Sequence, residues 1–525
     1  MGINKFSVTK FTFNLDLSVL GKKNIFLLLV FFQNAMSANF FEDVTNQTNV
    51  TTVHSSLNFM LGTGQAWLDV NNDGYEDIYF SNQDGSNSLF INNQNETFSK
   101  NAIYDTVNLP NSHDFGVSIT DVNNDGFQDI FVTSYGQNKL LINVNGLAFQ
   151  DVSNQWGLTD ENYSIASTWA DVNQDGWLDV YVVNYSQEND LDEADKLYLN
   201  DQGTGFIDAS ADLSPISHLA KYGLAVQFVD YDMDNDMDLY VINDKEQQNT
   251  LWRNDGIATS NCGTYVCFTD VSVLTQTNRA VWGMGIAIAD YDLDGDFDFY
   301  FSSIAEQVLL VSQISQGSQV FIEKSIQSGL DFNAIGWATL FLDVNNDQFP
   351  DVYLATADRT VDKNDRLFIS NQGQQFTDVS NVSGIDDLLM TIGAAKGDFN
   401  NDGLVDLVVG NWNENFMLYK NINPSTNNWV KFKLIGGQDI NALAIGAKVI
   451  VKTSNGNELL DFVVSGGSHG AGNSLILSYG LGVHTLDDVQ VIWPNGIIST
   501  YYGLAVNQQH QLTYPGDLIF SHSFE

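Results

Sequence analysis

Asp69-Val70-Asn71-Asn72-Asp73-Gly74-Tyr75-Glu76-Asp77, continued by Ile78-Tyr79-Phe80, is the stretch whose chemistry decides the fold. Positions 1, 3, 5 and 9 carry side-chain oxygens, and glycine at position 6 permits a sharp turn. With a backbone carbonyl near position 7, that spacing wraps one calcium ion in six or seven oxygens. The three residues that follow are β-favouring and apolar on both alternating faces, so the strand they form must be covered on both sides.

The pattern D-x-[DN]-x-D-[GNQ]-x-x-D occurs seven times, at 69–77, 121–129, 171–179, 230–238, 290–298, 343–351 and 398–406. The candidate ligands after Asp69, Asn71, Asp73 and Asp77 are Asp121, Asn123, Asp125 and Asp129 in loop 2, and Asp171, Asn173, Asp175 and Asp179 in loop 3. Loops 4 and 5 offer Asp230, Asp232, Asp234, Asp238 and Asp290, Asp292, Asp294, Asp298. Loops 6 and 7 offer Asp343, Asn345, Asp347, Asp351 and Asp398, Asn400, Asp402, Asp406. Tyr75, Phe127, Trp177 and Met237 are expected to supply the apolar seventh residue and its carbonyl. Loops 4 and 5, with Asp at position 3, are expected to bind tightest. Asn235 and Gln348 replace the glycine, and Asn tolerates a left-handed backbone better than Gln, so loop 6 fits the pattern least well.

An EF-hand would carry Glu at position 12 on a helix, but here stand Phe80, Val132, Val182, Val241, Phe301, Leu354 and Val409. Successive loops begin 50 to 60 residues apart, longer than a WD40 repeat of about 40–45 and enough for four short strands. A β-propeller sandwiches such strands between neighbouring blades. Five residues before each first Asp stands a small residue, Gly64, Gly116, Ala166, Ala225, Gly285, Ala338 or Gly393, as expected where inner strands crowd an axis. Most repeats end in a Phe followed by Asp-Val-Ser, as at 149–153 and 376–380; the seventh lacks this strand, and Phe41-Glu42-Asp43-Val44-Thr45 at the front matches it. The mature N-terminus is therefore predicted to complete the last blade and remove an open edge. The expected fold is all-β: a seven-bladed propeller over 39–423, a small β domain over 424–515 and a tail over 516–525.

The net charge of −44 repels phosphate backbones and anionic lipid headgroups, which argues against nucleic-acid and membrane-surface roles. Seven bound calcium ions would bring that charge to about −30, so removing them would leave strong self-repulsion. Hydrophobic residues at 43% with 12% aromatics supply a large core. Lys22 and Lys23 before an apolar run over 25–32, then small residues near Ala35, Ser37 and Ala38, point to a secretory signal peptide over 1–38. The run is far short of the roughly 20 residues of a membrane span, so no transmembrane helix is expected. Export places Cys262 and Cys267 in an oxidising compartment, where they can close a small disulfide loop.

The repeats resemble the FG-GAP or VCBS family, whose relatives form the seven-bladed propeller at the head of integrin alpha chains. Beyond Asn423-Pro424-Ser425-Thr426 the chain resembles the ASPIC and UnbV domain of cartilage-acidic-protein-like secreted proteins. Asn441, Ile445-Gly446-Ala447-Lys448-Val449, Ser465-Gly466-Gly467, Gly480-Leu481-Gly482 and Trp493-Pro494-Asn495-Gly496 carry that resemblance. Ala442 replaces a charged residue of the family, and Ser468-His469-Gly470-Ala471-Gly472 lacks its aromatic and Gln. The preferred function is a secreted, calcium-binding recognition or adhesion protein whose propeller binds glycan or extracellular protein; the alternatives are a calcium-dependent polysaccharide lyase or a lectin. A lyase would need converging cations, for which Arg253, Arg279, Arg359 and Arg366 are the candidates. Trp67, Trp169, Trp282, Trp337 and Trp412 suit core packing better than sugar stacking. Gly466-Gly467-Ser468-His469-Gly470 matches G-x-S-x-G, but its strand-like flanks do not form the strand-to-helix elbow that motif needs.

Overall fold

The computed structural model describes residues 39–516 except 57–60, 186–193, 215–220, 260–261, 358–363 and 386–388. The expected signal peptide, Arg359 and all but the first residue of the expected tail lie outside the described residues.

Each Asp-rich loop joins the first two strands of a set of four antiparallel strands. In blade 1 these are Gln65–Leu68, Asp77–Phe80, Ser88–Asn92 and Phe98–Ser99, paired in sequence order. Leu68 faces Asp77 across the hairpin, so the ninth residue of the loop is the first of the second strand. The same register recurs in the other six units, from Thr120 with Asp129 to Gly397 with Asp406. Both faces of these second strands are buried, as their continuous apolar character requires.

The inner strands after Gln65–Leu68 are Asp114–Thr120, Glu161–Ala170, Gly223–Val229, Ile286–Ala289, Gly336–Leu342 and Thr391–Gly397. Each touches the next, and the last touches the first, which closes a ring. The small residues stand where that ring is tightest. A Cβ on Gly64 would strike the carbonyl oxygen of Phe115, one on Gly116 that of Ile165, and one on Gly285 that of Trp337. Blade 7 consists of Thr391–Gly397, Asp406–Asn411 and Met417–Asn421, and its outer strand is Phe41–Asp43 from the front of the chain. Phe41 pairs with Asn421 and Asp43 with Tyr419, and the fully buried Phe41 ring joins the core of blades 6 and 7. In blade 4 the hairpin of Thr250–Thr259 and Cys262–Asp270 is closed by a Cys262–Cys267 disulfide.

The C-terminal part is a β-sandwich. One sheet holds Leu477–Gly482, Asn428–Ile435 and Gln508–Thr513; the other holds Glu458–Phe462, Lys448–Thr453, Leu486–Ile492 and Ile498–Tyr502. Its core residues Phe432, Val451, Val489 and Trp493 share one cluster with Val122, Trp169 and Leu178 of the propeller, so the two parts bury a common apolar surface. No helix among the described residues is long and apolar enough to cross a membrane.

Candidate metal loops and the domain that covers them

All seven loops have one shape. The first Asp accepts the N–H of residue 5 on Oδ1 and that of residue 6 on Oδ2, at 2.8–3.2 Å, from Asp69 with Asp73 and Gly74 to Asp398 with Asp402 and Gly403. The ninth residue accepts the N–H of residue 2 on Oδ2 and, on Oδ1, an N–H from the third strand. Positions 4 and 6 are left-handed in every loop, including Asn235 at φ 77 and Gln348 at φ 91. The backbone thus holds the carboxylates of positions 1 and 9 in place before any ion arrives.

This arrangement has an electrostatic cost. Burial pushes the Asp77 carboxyl up to about 8, opposed by the N–H groups of Asn92 and Val70 and reinforced by the charges of Asp69 and Asp73. Burial also raises Asp121 and Asp171 to about 7 and Asp290 to about 8. Asp129, Asp179, Asp238, Asp298, Asp351 and Asp406 are raised well above the usual carboxylate range, each by burial first. Several ligand-position oxygens are buried without any hydrogen-bond partner: Oδ1 of Asp232, Asp292 and Asn345, together with Oδ1 of Asp296. In loops 4 and 5, oxygens of Asp230, Asp232 and Asp238, and of Asp290, Asp292 and Asp294, lie within 4.8 Å of one another. Preformed carboxylates with unsatisfied oxygens are the donor set of a hard divalent cation.

One expectation needs correction. The seventh residue of loop 4 is Asp236, not Met237, and loop 5 likewise has Asp296 there. Met237 is the eighth residue, and its carbonyl accepts the Asn254 side-chain amide at 3.4 Å. Loop 6 is not deformed by Gln348. Its side-chain amide donates to Leu481 O at 2.8 Å, and Asn455 and Asn457 donate to its Oε1, so the C-terminal domain holds it in the left-handed conformation. Asn235 reaches the same domain, donating to Pro494 O at 3.1 Å.

Another repeated element escaped the sequence reading. Asn92, Asn143, Asn200 and Asn421 end third strands and Asn254 lies within one, and each side-chain amide bridges the eighth residue of its own loop to the second residue of the preceding blade's loop. Blades 5 and 6 have Ser312 and Ser370 at this place. The signal was present as Leu-Phe-Ile-Asn, Leu-Leu-Ile-Asn and Leu-Tyr-Leu-Asn after the loops.

The C-terminal domain sits on the loop face and fills the axis. Residues 465–474 enter the ring as a plug. Ser465 and Gly466 pair with Trp169 and Thr168, Gly470 O accepts the Val117 N–H, Ser468 O accepts the Ile286 N–H, and Gly472 exchanges hydrogen bonds with Gln65 and Trp67. At the tip, the fully buried His469 places Nδ1 2.9 Å from Met284 O and Nε2 3.0 Å from Leu61 O, with Trp337 against its ring. The G-x-S-x-G string is thus the body of a plug rather than a nucleophile elbow. Three lysines of the domain also reach into the loops: Lys431 Nζ lies 2.8 Å from Asp398, Lys433 Nζ lies 3.2 Å from Asp69, and Lys448 pairs with Asp230.

Among the described residues the remaining candidates have local partners. Arg253 pairs with Asp255 on blade 4, while Arg366 on blade 6 is buried over the Phe332 ring. Trp67, Trp169 and Trp337 are core residues, whereas Trp282 is 40% exposed on the face away from the loops. On that face the rings of Tyr135, Tyr163, Tyr185 and Tyr222 follow one another at 4.9–6.3 Å across blades 2 to 4.

A ring of four-stranded sheets with an acidic nonapeptide loop in each, capped by a β-sandwich, defines a β-propeller of the repeat-loop type. The FG-GAP-like repeat model matches residues 69–132, 121–182, 171–241, 230–301 and 343–409, and the ASPIC and UnbV model matches 437–518. The matches to the repeat span more than half of the chain, which belongs to the FG-GAP-like repeat family. It is 22% identical to cartilage acidic protein 1 of Mus musculus over 244 residues, 45% of this chain and 38% of that protein. To the Xenopus tropicalis protein it is 23% identical over 265 residues, 48% and 39% of the two chains, so it covers about two fifths of the length of these relatives. Among solved structures it is similar to an Agrocybe aegerita lectin that recognises non-reducing terminal N-acetylglucosamine, with TM-score 0.40, 14% identity and coverage of 68% and 87% of the two chains. It is also similar to BBS1N in complex with ARL6DN, with TM-score 0.45, 8% identity and coverage of 74% and 98%.

Proposed function

We propose that the chain is a secreted, calcium-binding recognition protein that contacts glycan or extracellular protein through the propeller face opposite the loops. Seven loops of one shape, with ligand oxygens preset by backbone N–H groups and several left unsatisfied, carry the calcium reading. Positions 1, 3, 5 and 9 would hold the ion, which supplies positive charge to carboxylates that burial otherwise drives toward protonation. The loop face is covered and the axis is plugged, so a partner meets the far face, where Tyr135 and Trp282 are exposed. Such rings present apolar faces with polar tips, the composition of sugar and protein contact surfaces. The Cys262–Cys267 disulfide suits an oxidising compartment.

The test is retention of the mature protein on panels of polysaccharides and extracellular proteins, in calcium and in chelator, with polymer fragmentation scored in parallel. Calcium-dependent retention without cleavage is the expected outcome. Calcium-dependent release of unsaturated fragments would replace recognition by a lyase activity, and absence of both would leave calcium a structural ion only.

A further inference from the structure

The C-terminal β-sandwich, residues 428–513, contains four lysines and no arginine, and three of the four point into the Asp-rich loops. Lys431 and Lys433 stand two residues apart on Asn428–Ile435, so strand alternation directs both to the same side; Lys448 opens Lys448–Thr453. Each meets the same atom, Oδ2 of the first Asp of its loop: Asp398 in loop 7, Asp69 in loop 1 and Asp230 in loop 4. Lys431 also reaches Asn401 Oδ1 at 2.8 Å, and the pairs of Lys431 and Lys448 are almost completely buried. Among the described residues no lysine or arginine pairs with Asp121, Asp171, Asp290 or Asp343, the first residues of the other loops. The C-terminal domain touches loops 2 and 6 through neutral groups instead, as in Ala442 N–H to Asn124 Oδ1 at 2.9 Å and the Gln348 clamp.

We propose that these three lysines sort the seven loops into two classes of calcium site. This rests on the calcium reading above. A fixed ammonium on the first ligand carboxylate repels a divalent cation bound to that same carboxylate, and the repulsion is strong where burial excludes screening water. Loops 2, 3, 5 and 6 are therefore the high-affinity sites, and loops 1, 4 and 7 take calcium only at higher concentration. Loop 4, with four ligand aspartates, moves to the weak class because of Lys448, which leaves loop 5 the tightest. Linkage makes the effect reciprocal: calcium entering loops 1, 4 and 7 weakens the lysine contacts that tie the C-terminal domain to the ring.

Equilibrium dialysis and calorimetric titration of the full chain with calcium test this. The expected isotherm has four tight and three weak sites, separated by at least tenfold in Kd. Lys431→Gln, Lys433→Gln and Lys448→Gln together should merge the classes into seven tight sites. Lys433→Gln alone, at the most exposed of the three pairs, should move one ion from the weak to the tight class, with an unchanged near-ultraviolet circular dichroism spectrum verifying the fold. Seven equivalent sites in the parent chain, or an unchanged split in the single variant, would overturn the proposal. Binding of no calcium by any form would instead remove the calcium reading itself.

Discussion

The two faces of the ring are built on opposite plans. On the loop face one hydrogen-bond scheme is copied seven times, a second domain covers it, and its carboxylates point at one another. On the far face the connections differ from blade to blade, and Tyr135, Trp282 and the Tyr163–Tyr185–Tyr222 arc occupy it. Repetition fixes a frame because every copy must fit the same neighbour, whereas a face with no such constraint is free to vary and to meet partners. Even the departures obey this division: the two loops that lose glycine at position 6 carry an Asn or a Gln that binds the covering domain.

The sharpest way to separate the faces is to test the proposed calcium with a chelator. One filled loop contributes about 2.7 kcal/mol at a hundredfold excess over Kd, so emptying four tight loops should lower Tm by about 10 °C, read by calorimetry in chelator against calcium. Next in size is a pH effect of defined sign. Burial raises the position-9 carboxyls and, at position 1, those of Asp121, Asp171, Asp230, Asp290 and Asp343, so the metal-free protein binds more protons folded than unfolded between pH about 4 and 8. Its stability should therefore fall as pH rises through that window, and calcium should flatten or reverse the slope in a pH series of melts. A smaller loss is expected from Asn143→Ala, which cuts both blade-bridging bonds at buried carbonyls, by about 1–3 kcal/mol in denaturant titration. Least of all, Trp282→Ala should leave stability within about 0.5 kcal/mol yet weaken partner retention at least tenfold. A loss of retention from a loop variant that still binds its ions, with Trp282→Ala silent, would reverse the roles of the faces.

Much of the frame was legible because its determinants are local. A nine-residue spacing with a bifacial apolar strand behind it specifies loop, hairpin and blade, and the small residues mark the crowded axis. The fourth strand missing from the last repeat and the matching segment at the front pointed to closure, which the pairing of Phe41 with Asn421 realises. What could not be read were pairings made at long range. Nothing in Ser465-Gly466-Gly467-Ser468-His469 says that it threads the axis, because its partners, from Gln65 to Ile286, are set only once the ring exists. The lysine contacts are of the same kind, joining Lys433 to Asp69 across 364 positions. In loop 4 the apolar residue that marks the seventh position in most loops is displaced by one, so Asp236 stands seventh and Met237 eighth. The terminal Asn of the third strand was visible as a repeat but has meaning only beside the neighbouring blade's carbonyl.

The strand Phe41–Asp43 also sets an order of events during synthesis. It emerges first, yet its partner Met417–Asn421 follows some 380 residues later. At ribosomal rates of about 5–20 residues per second, the first strand waits roughly 20 to 75 seconds with its edge unmatched. Blades 1 to 6 can form in that interval, but the ring becomes a ring only once Met417–Asn421 has been made, and the plug at 465–474 arrives later still. Any factor that keeps this short strand from pairing elsewhere therefore acts on the last step of propeller assembly, not the first.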